Sequence, residues 1–452
     1  MPKLSLLALC AAVDGVLIGR DCELSGAVAD HRQVKPGNVF FALPGARHDG
    51  HDYVAEAVKL GAAAAIVSRG GEYPCPVVMV PDTREALGRM AREHLASSSA
   101  KVVAITGSVG KTSVKELTAA ALAGTMKVYR SPGNFNTEVG LPLSVLNHVD
   151  EEVLVLEMGM RGLGQIAALT AIAPPDVVIM TNVGEAHIEL LGSRANIARA
   201  KGEILLGMNV GGTAILNRDD DFYDFHLLLA TGPVLSVGSH KEADLRLTEV
   251  VMDEKGNSHY TLCSGTEAWQ VHTPWPGRHN AQNSAMAIAA AVVLGVDIAQ
   301  AIKGLEACQI ASQRLEILVV PRGYTLIDDT YNASPSSVVA ALCTLDEYAG
   351  VRRKIAVLGS MFELGERSAA AHQEVGEVAA RVCDLVLTLG REAEEVARVA
   401  EARGVRSIHC ESVAQVLLVL QKELQPGDVV LVKGSRGMQM ERIADLCRRG
   451  DV

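Results

Sequence analysis

The feature that most constrains this chain is a glycine-rich turn set between an apolar run and a helical run. Val102-Val103-Ala104-Ile105 has the length and branching of a buried strand, and Lys111 to Ala123 has helical spacing. Between them stands Gly107-Ser108-Val109-Gly110-Lys111-Thr112-Ser113. Glycines at such a turn let backbone N–H groups point inward around phosphate oxygens, and the helix that follows presents the positive end of its dipole. Lys111 is placed to reach β- and γ-phosphates, and the Thr112 hydroxyl to meet Mg2+. The turn is tighter at its start than the common Gly-x4-Gly-Lys form, but its physics is the same. It predicts a site for ATP or GTP built on a strand, a turn and a helix.

The rest of the chain repeats that grammar. Strand-like runs recur at Val153–Leu156, Val177–Met180 and Thr213–Leu216, with helical spacing between them. This alternation implies a largely parallel sheet with helices on both faces. Ala243 to Val271 reads as a hairpin-rich insertion, and Asn280 to Leu294 as a long Ala-rich helix. Before this domain, Val39–Leu43, Ala62–Val67 and Val77–Val80 read as strands. Tyr53–Leu60 and Arg84–Leu95 read as helices, and Ala96-Ser97-Ser98-Ser99 as a linker. After it, Thr325–Ile327, Ile355–Leu358, Leu385–Thr388 and Val429–Val432 give a doubly wound sheet. The expectation is an α/β protein of three domains. A small N-terminal α/β substrate domain covers 1–97, a central phosphate-loop domain 98–311, and a C-terminal Rossmann-like domain 312–452. The length of 452 residues agrees with three domains at the usual size of about 150.

Composition narrows the function classes. The formal net charge is -11, so no basic nucleic-acid footprint is present. Nine cysteines are scattered without CxxC spacing, which speaks against a zinc site or a disulfide framework and for a reducing cytoplasm. Lys3 followed by the apolar run Leu4–Val13 imitates a targeting signal. A single lysine before it and Asp14 after it favour a short amphipathic helix. No membrane span is expected.

Phosphoryl chemistry needs oxygen ligands beyond one threonine. Glu157 ends the strand Val153–Leu156, where ligand crevices of parallel sheets open, and is the candidate metal carboxylate. His187 also follows a strand, in Asn182-Val-Gly-Glu-Ala-His187; a loop histidine alone is more often a packing residue than a ligand. Asn134 and Asn136 are candidates for the cleft wall, or for a polar turn.

Together these pieces resemble the Mur ligases, ATP-dependent amide-forming enzymes of peptidoglycan precursor synthesis. The resemblance runs through Thr106–Thr112, Gly133-Asn-Phe-Asn-Thr-Glu-Val-Gly140, Glu157-Met-Gly159 and Ala200-Lys-Gly-Glu203. It continues in Arg314-Leu-Glu316, Asp328-Asp-Thr-Tyr-Asn-Ala333, Gly359-Ser-Met-Phe-Glu-Leu-Gly365 and Lys433-Gly-Ser-Arg436. The loop motif is shared with folylpolyglutamate synthases. Asp329-Thr-Tyr-Asn-Ala-Ser-Pro335 resembles the branch that adds D-alanyl-D-alanine, with a UDP-N-acetylmuramoyl-tripeptide as the implied second substrate. The competing readings are a neighbouring ligase of either group, and a nucleotide-gated switch without ligase chemistry.

The resemblance implies roles by position. Thr112 and Glu157 would hold one Mg2+, and His187 with Lys201 a second, Lys201 being carbamylated by CO2. Asn283 would meet adenine, Asp329 ribose and Arg314 the phosphates. Lys111, Lys201 and His187 form the expected catalytic set. Asp30-His31-Arg32 and Gly45–His51 would hold the UDP end, although relatives usually carry serine where this chain has His31. Lys433 and Arg436 would either bind a substrate carboxylate or hold their own loop. A cytoplasmic monomer is expected.

Overall fold

In the computed structural model, residues 5–309, 312–348 and 351–452 are described. They build three sheets in chain order.

The first sheet holds β1 (Val16–Ile18), β2 (Gly26–Val28), β3 (Asn38–Phe41), β4 (Ala64–Val67) and β5 (Val77–Met79). Their order is β1-β5-β4-β3-β2, parallel except for β1. β3 and β4 are buried on both faces, so alternate residues enter different cores. Val39, Phe41 and Ile66 face the helix Thr83–Ala96, while Phe40, Ala65 and Val67 face a smaller cluster around Val54 and Ala57. β1 and β2 carry three residues each, shorter than the runs that read as strands in the sequence. The helix Leu6–Ala12 forms where a short amphipathic helix is expected, with Leu6 and Leu9 buried; residues 1–4 lie outside the described residues.

The second sheet has nine strands: β6 (Lys101–Thr106), β7 (Val128–Arg130), β8 (Val153–Glu157), β9 (Val177–Met180), β10 (Thr213–Asn217), β11 (Val234–Gly238), β12 (Leu245–Met252), β13 (Ser258–Ser264) and β14 (Glu267–Thr273). The order is β14-β13-β12-β11-β10-β9-β6-β8-β7. Strands β7 to β12 pair in parallel, and β13 and β14 antiparallel. The stretch read as an insertion is therefore a correction. It is hairpin-built, but β12 joins β11 in parallel, so the hairpins extend the main sheet instead of interrupting it. The pleat sorts β6 residue by residue: Val102 and Ala104 enter the core shared with the first domain, while Val103 and Ile105 pack under Lys111–Ala123 and Arg278–Val293.

The boundary between the first two units is mechanically firm. Leu87 and Met90 share one core with Leu141, Val145 and Ile166. The Asn147 side chain bonds both the N–H and the carbonyl of Ala27, at 3.0 and 2.8 Å.

The third sheet holds β15 (Glu316–Val319), β16 (Thr325–Asp329), β17 (Lys354–Gly359), β18 (Leu385–Leu389), β19 (Arg406–Cys410) and β20 (Val429–Lys433), in the order β15-β16-β20-β17-β18-β19. The four expected strands are its interior, and β15 and β19 are its edges. Both edges are only partly covered, and the polar residues of β19 interrupt any apolar run there, while β15 carries Ile317-Leu318-Val319.

Candidate functional site

β6 lies between β8 and β9, so the chain leaves β6 toward one side of the sheet and later returns to the other. The crevice at such a switch point is where a parallel sheet can receive a ligand. The loop Gly107–Gly110 sits there. Gly107 (φ +152°) has no room for a side chain, because a Cβ would stand 1.8 Å from Thr181 Oγ1. Gly110 (φ +88°) caps the helix Lys111–Ala123 from the left-handed region that favours glycine. The end of β9 clamps the loop. Thr181 Oγ1 donates to the Val109 carbonyl at 2.6 Å, Asn182 Oδ1 accepts from the Val109 N–H at 3.0 Å, and Ser108 Oγ accepts from the Gly184 N–H at 2.9 Å. Lys111 Nζ donates to the Gly107 carbonyl at 2.8 Å, which keeps its charge at the loop's centre. Burial pushes the Lys111 amine below its ordinary pKa; Glu157 opposes this and Arg314 adds to it.

Glu157, at the end of β8, is buried, and each of its carboxylate oxygens has a partner. Thr112 Oγ1 donates to its Oε2 and Asn136 Nδ2 to its Oε1, both at 2.8 Å. Asn136 also accepts the Gly159 N–H through its carbonyl. Arg314 of the third domain reaches across to the same threonine, its Nη2 standing 3.1 Å from Thr112 Oγ1. Lys115 supports this wall from behind and is absent from the sequence-derived candidates. Its side chain is buried, and its Nζ donates to the carbonyls of Ser131 and Gly133 at 2.8 Å each. It thereby pins the turn that delivers Asn136. Its position one helical turn after Lys111 is the signal that could have found it.

His187 and Lys201 come from the opposite side of the crevice. His187 has φ +64° and precedes the short helix Ile188–Leu191. Its Nδ1 lies 2.8 Å from Glu363 Oε2 of the third domain, at ion-pair distance but without hydrogen-bond alignment. Burial lowers the His187 pKa, Glu363 opposes this, and Lys111 and Lys201 lower it further. Lys201 is 2% exposed on the helix Arg194–Leu206. Burial and then the Lys111 charge hold its pKa well below the ordinary lysine value.

Asn283 faces Gly110 and donates to Asn280 Oδ1 at 3.1 Å. In the third domain, Asp329 ends β16 and Lys433 ends β20, directly paired in register. Lys433 Nζ donates to Asp329 Oδ2 at 2.6 Å and to the Asn332 carbonyl at 2.8 Å. Its charge is thus engaged with the Asp329 loop, while its side chain also lines the cleft. Arg314 lies over the Tyr331 ring, 3.9 Å from its centroid. Arg436 is mostly exposed and bonds Gln313 Oε1 at 3.3 Å.

Ser108–Ser113, Asn134, Asn136, Glu157, His187, Lys201, Asn283, Arg314, Asp329 and Lys433 thus line one cleft of about 840 Å3 between the second and third domains. Asp30, His31 and Arg32 stand apart on the first domain. There Arg32 pairs with Asp30 at 2.6 Å, and His31 stacks on Tyr53 with centroids 4.5 Å apart.

Comparison with known proteins adds an independent finding. Residues 105–291 match the Mur ligase middle domain, 313–436 the Mur ligase glutamate ligase domain, and 24–95 the Mur ligase family catalytic domain. UDP-N-acetylmuramoyl-tripeptide–D-alanyl-D-alanine ligase of Bacillus subtilis (strain 168) is 34% identical over 453 residues, 98% of each chain. The enzyme of the same name from Escherichia coli (strain K12) is 34% identical over 451 residues, again 98% of each. A crystal structure of MurF from Acinetobacter baumannii superposes with a TM-score of 0.89 at 31% identity, covering 99% of both chains. MurF ligase from Thermotoga maritima in complex with ADP gives 0.83 at 33% identity, over 94% of this chain and 97% of that one.

Proposed function

Because the chain belongs to the Mur ligase family, we propose that it adds D-alanyl-D-alanine to UDP-N-acetylmuramoyl-tripeptide, driven by ATP conversion to ADP and phosphate, in cytoplasmic peptidoglycan precursor synthesis. One observation carries the reading: Arg314 of the third domain donates to Thr112 of the phosphate loop, so two domains furnish one cleft. A nucleotide-gated switch has no need of a further α/β domain with side chains on the loop hydroxyl.

An amine and a carboxylate do not condense readily in water, since oxide is a poor leaving group. The tripeptide carboxylate attacks the γ-phosphate, giving an acyl phosphate and ADP. The dipeptide amine then attacks the acyl carbon and phosphate departs. Both steps gather negative charge, which the loop N–H groups, Lys111 and Arg314 are positioned to stabilise. Asn283 would meet adenine, and Asp329, oriented by Lys433, would meet ribose. Closure of the third domain over the cleft would exclude water from a hydrolysable acyl phosphate. Asp30-His31-Arg32 and Gly45–His51 of the first domain would hold the UDP end. The domains are assigned to 1–97, 98–311 and 312–452; residues 310–311, at the second boundary, lie outside the described residues. The protein works as a monomer in this reading. Among the described residues no helix is long and apolar enough to cross a membrane.

Thr112 Oγ1 and the Glu157 carboxylate offer hard oxygen donors 2.8 Å apart at the loop's rim, which suits Mg2+. His187 and Lys201 offer nitrogen, which Mg2+ accepts poorly, so this pair suits a second ion once Lys201 bears a carbamate. Burial favours the uncharged Lys201 amine, the form that attacks CO2. Bound Mg2+ would supply neutralisation of the phosphate charge.

The test supplies purified protein with ATP, Mg2+, the UDP-tripeptide and D-alanyl-D-alanine. Release of ADP and phosphate that requires both substrates is expected. Formation of AMP and pyrophosphate, or turnover indifferent to the dipeptide, would overturn the proposal.

A further inference from the structure

Among the described residues outside the cleft, one cluster has the composition of a metal site. His259 on β13 and His272 on β14 are directly opposite in the antiparallel register. Their neighbours Tyr260 and Val271 point into the core, so alternation sends both imidazoles to the sheet's other face. The rings lie 4.6 Å apart, centroid to centroid, at 37°. Asp253, just past the end of β12, closes the triangle, with its Oδ2 3.1 Å from His259 Nε2. One ligand atom from each of the three lies within 4.8 Å of the others.

That carboxylate is held in place from behind. Asp253 Oδ1 accepts the N–H groups of Lys255 and Asn257, and Oδ2 accepts Asn257 Nδ2 at 2.8 Å. Such outer bonds fix a metal-binding carboxylate before the ion arrives. Around a tetrahedral ion with ligand distances of about 2.0–2.1 Å, neighbouring donors stand about 3.3 Å apart. His259 and Asp253 already meet that spacing, and a ring nitrogen of His272 lies within 4.8 Å of both.

We propose that Asp253, His259 and His272 bind a divalent transition-metal ion, with Zn2+ as the fitting example and water as the fourth ligand. Two imidazoles with one carboxylate favour Zn2+ over Mg2+, which demands oxygen. None of the three lines the phosphate cleft. The turn they define rests on the third domain. The Tyr348 hydroxyl donates to the Glu254 carbonyl at 3.0 Å, and Met252 packs against the third domain's core. A Cβ on Gly256 would stand 2.3 Å from Ile317 Cδ1. An ion joining the end of β12 to β13 and β14 therefore stiffens the surface against which the third domain is seated.

The experiment takes the full chain, stripped with chelator, and measures Zn2+ bound by equilibrium dialysis in excess Mg2+. His272→Gln is expected to hold one equivalent fewer than wild type, and to lose the rise in melting temperature that Zn2+ gives wild type. Equal stoichiometry in the two proteins overturns the proposal. Anomalous diffraction at the zinc edge from Zn2+-soaked wild-type crystals tests it without any variant. A peak inside the triangle of the three side chains is expected, and a map without one there rejects the site.

Discussion

The two sides of the phosphate cleft are built on different principles. On one side, Thr112 and Glu157 touch at 2.8 Å, and Asn136 fixes the second carboxylate oxygen. Their positions follow from two neighbouring strand ends of one rigid sheet. On the other side, His187 and Lys201 come from a left-handed turn and a helix interior, and the partner of His187 is Glu363 of another domain. The first side is preorganised by its own fold. The second rests on a buried lysine and on where the third domain stands. A carboxylate can be placed by a strand end, whereas a lysine can serve a cation only after its charge is removed.

That contrast can be broken in graded steps. Lys111→Ala removes the charge at the loop's centre and is expected to lower kcat by about 10³-fold, in the range found when a preorganised charge-stabilising donor is lost. A steady-state assay of ADP release checks it, and a loss confined to KM would assign Lys111 to ground-state binding alone. Lys201→Ala is expected to lower kcat by about 10²-fold and to recover part of it with added short carboxylic acids, which replace the carbamate oxygens. Full activity without added acid would remove the carbamate from the site. Asn136→Ala leaves Glu157 with one partner fewer, and a fall of about tenfold in Mg2+ affinity is expected from titration of activity against Mg2+. An unchanged Mg2+ dependence would make Asn136 a structural turn residue.

The smallest effect concerns stability. Lys201 titrates below the ordinary lysine value in the folded protein. Between its folded pKa and the unfolded value of about 10.4, the unfolded chain binds more protons, so burial of Lys201 is destabilising there and less so as pH rises. In CO2-free buffer Lys201→Met should therefore melt at a higher temperature than wild type at neutral pH. The gap should narrow as pH approaches about 10.4, and a gap independent of pH would contradict the cause given.

The legible parts of the site were those where local rules suffice. The loop lies between an apolar strand and a helix, and Glu157 is the last residue of its strand; both are readable because strand ends and glycine turns have local signatures. The roles of Lys201, Asn283, Arg314 and Asp329 came from resemblance, since a buried lysine on a helix has no local mark. Lys115 and Glu363 went unread because their partners lie in turns and domains that no periodicity connects. β19 escaped for a related reason, as its polar residues break up the apolar run that betrays an interior strand, whereas the Ile317-Leu318-Val319 run of β15 was legible and simply went unread.

By itself, then, the sequence determined three α/β units, a phosphate-binding turn and the acid beside it, because these depend on residue spacing within about a dozen positions. Tertiary structure alone decided that the hairpins continue the central sheet, that the first two units share one core, and that Lys433 is engaged by Asp329. It also brought Arg314 onto Thr112, 202 residues apart in the chain. Contacts at that separation are set by which sheet faces and strand ends meet, and a strand's own residues carry no record of its neighbour.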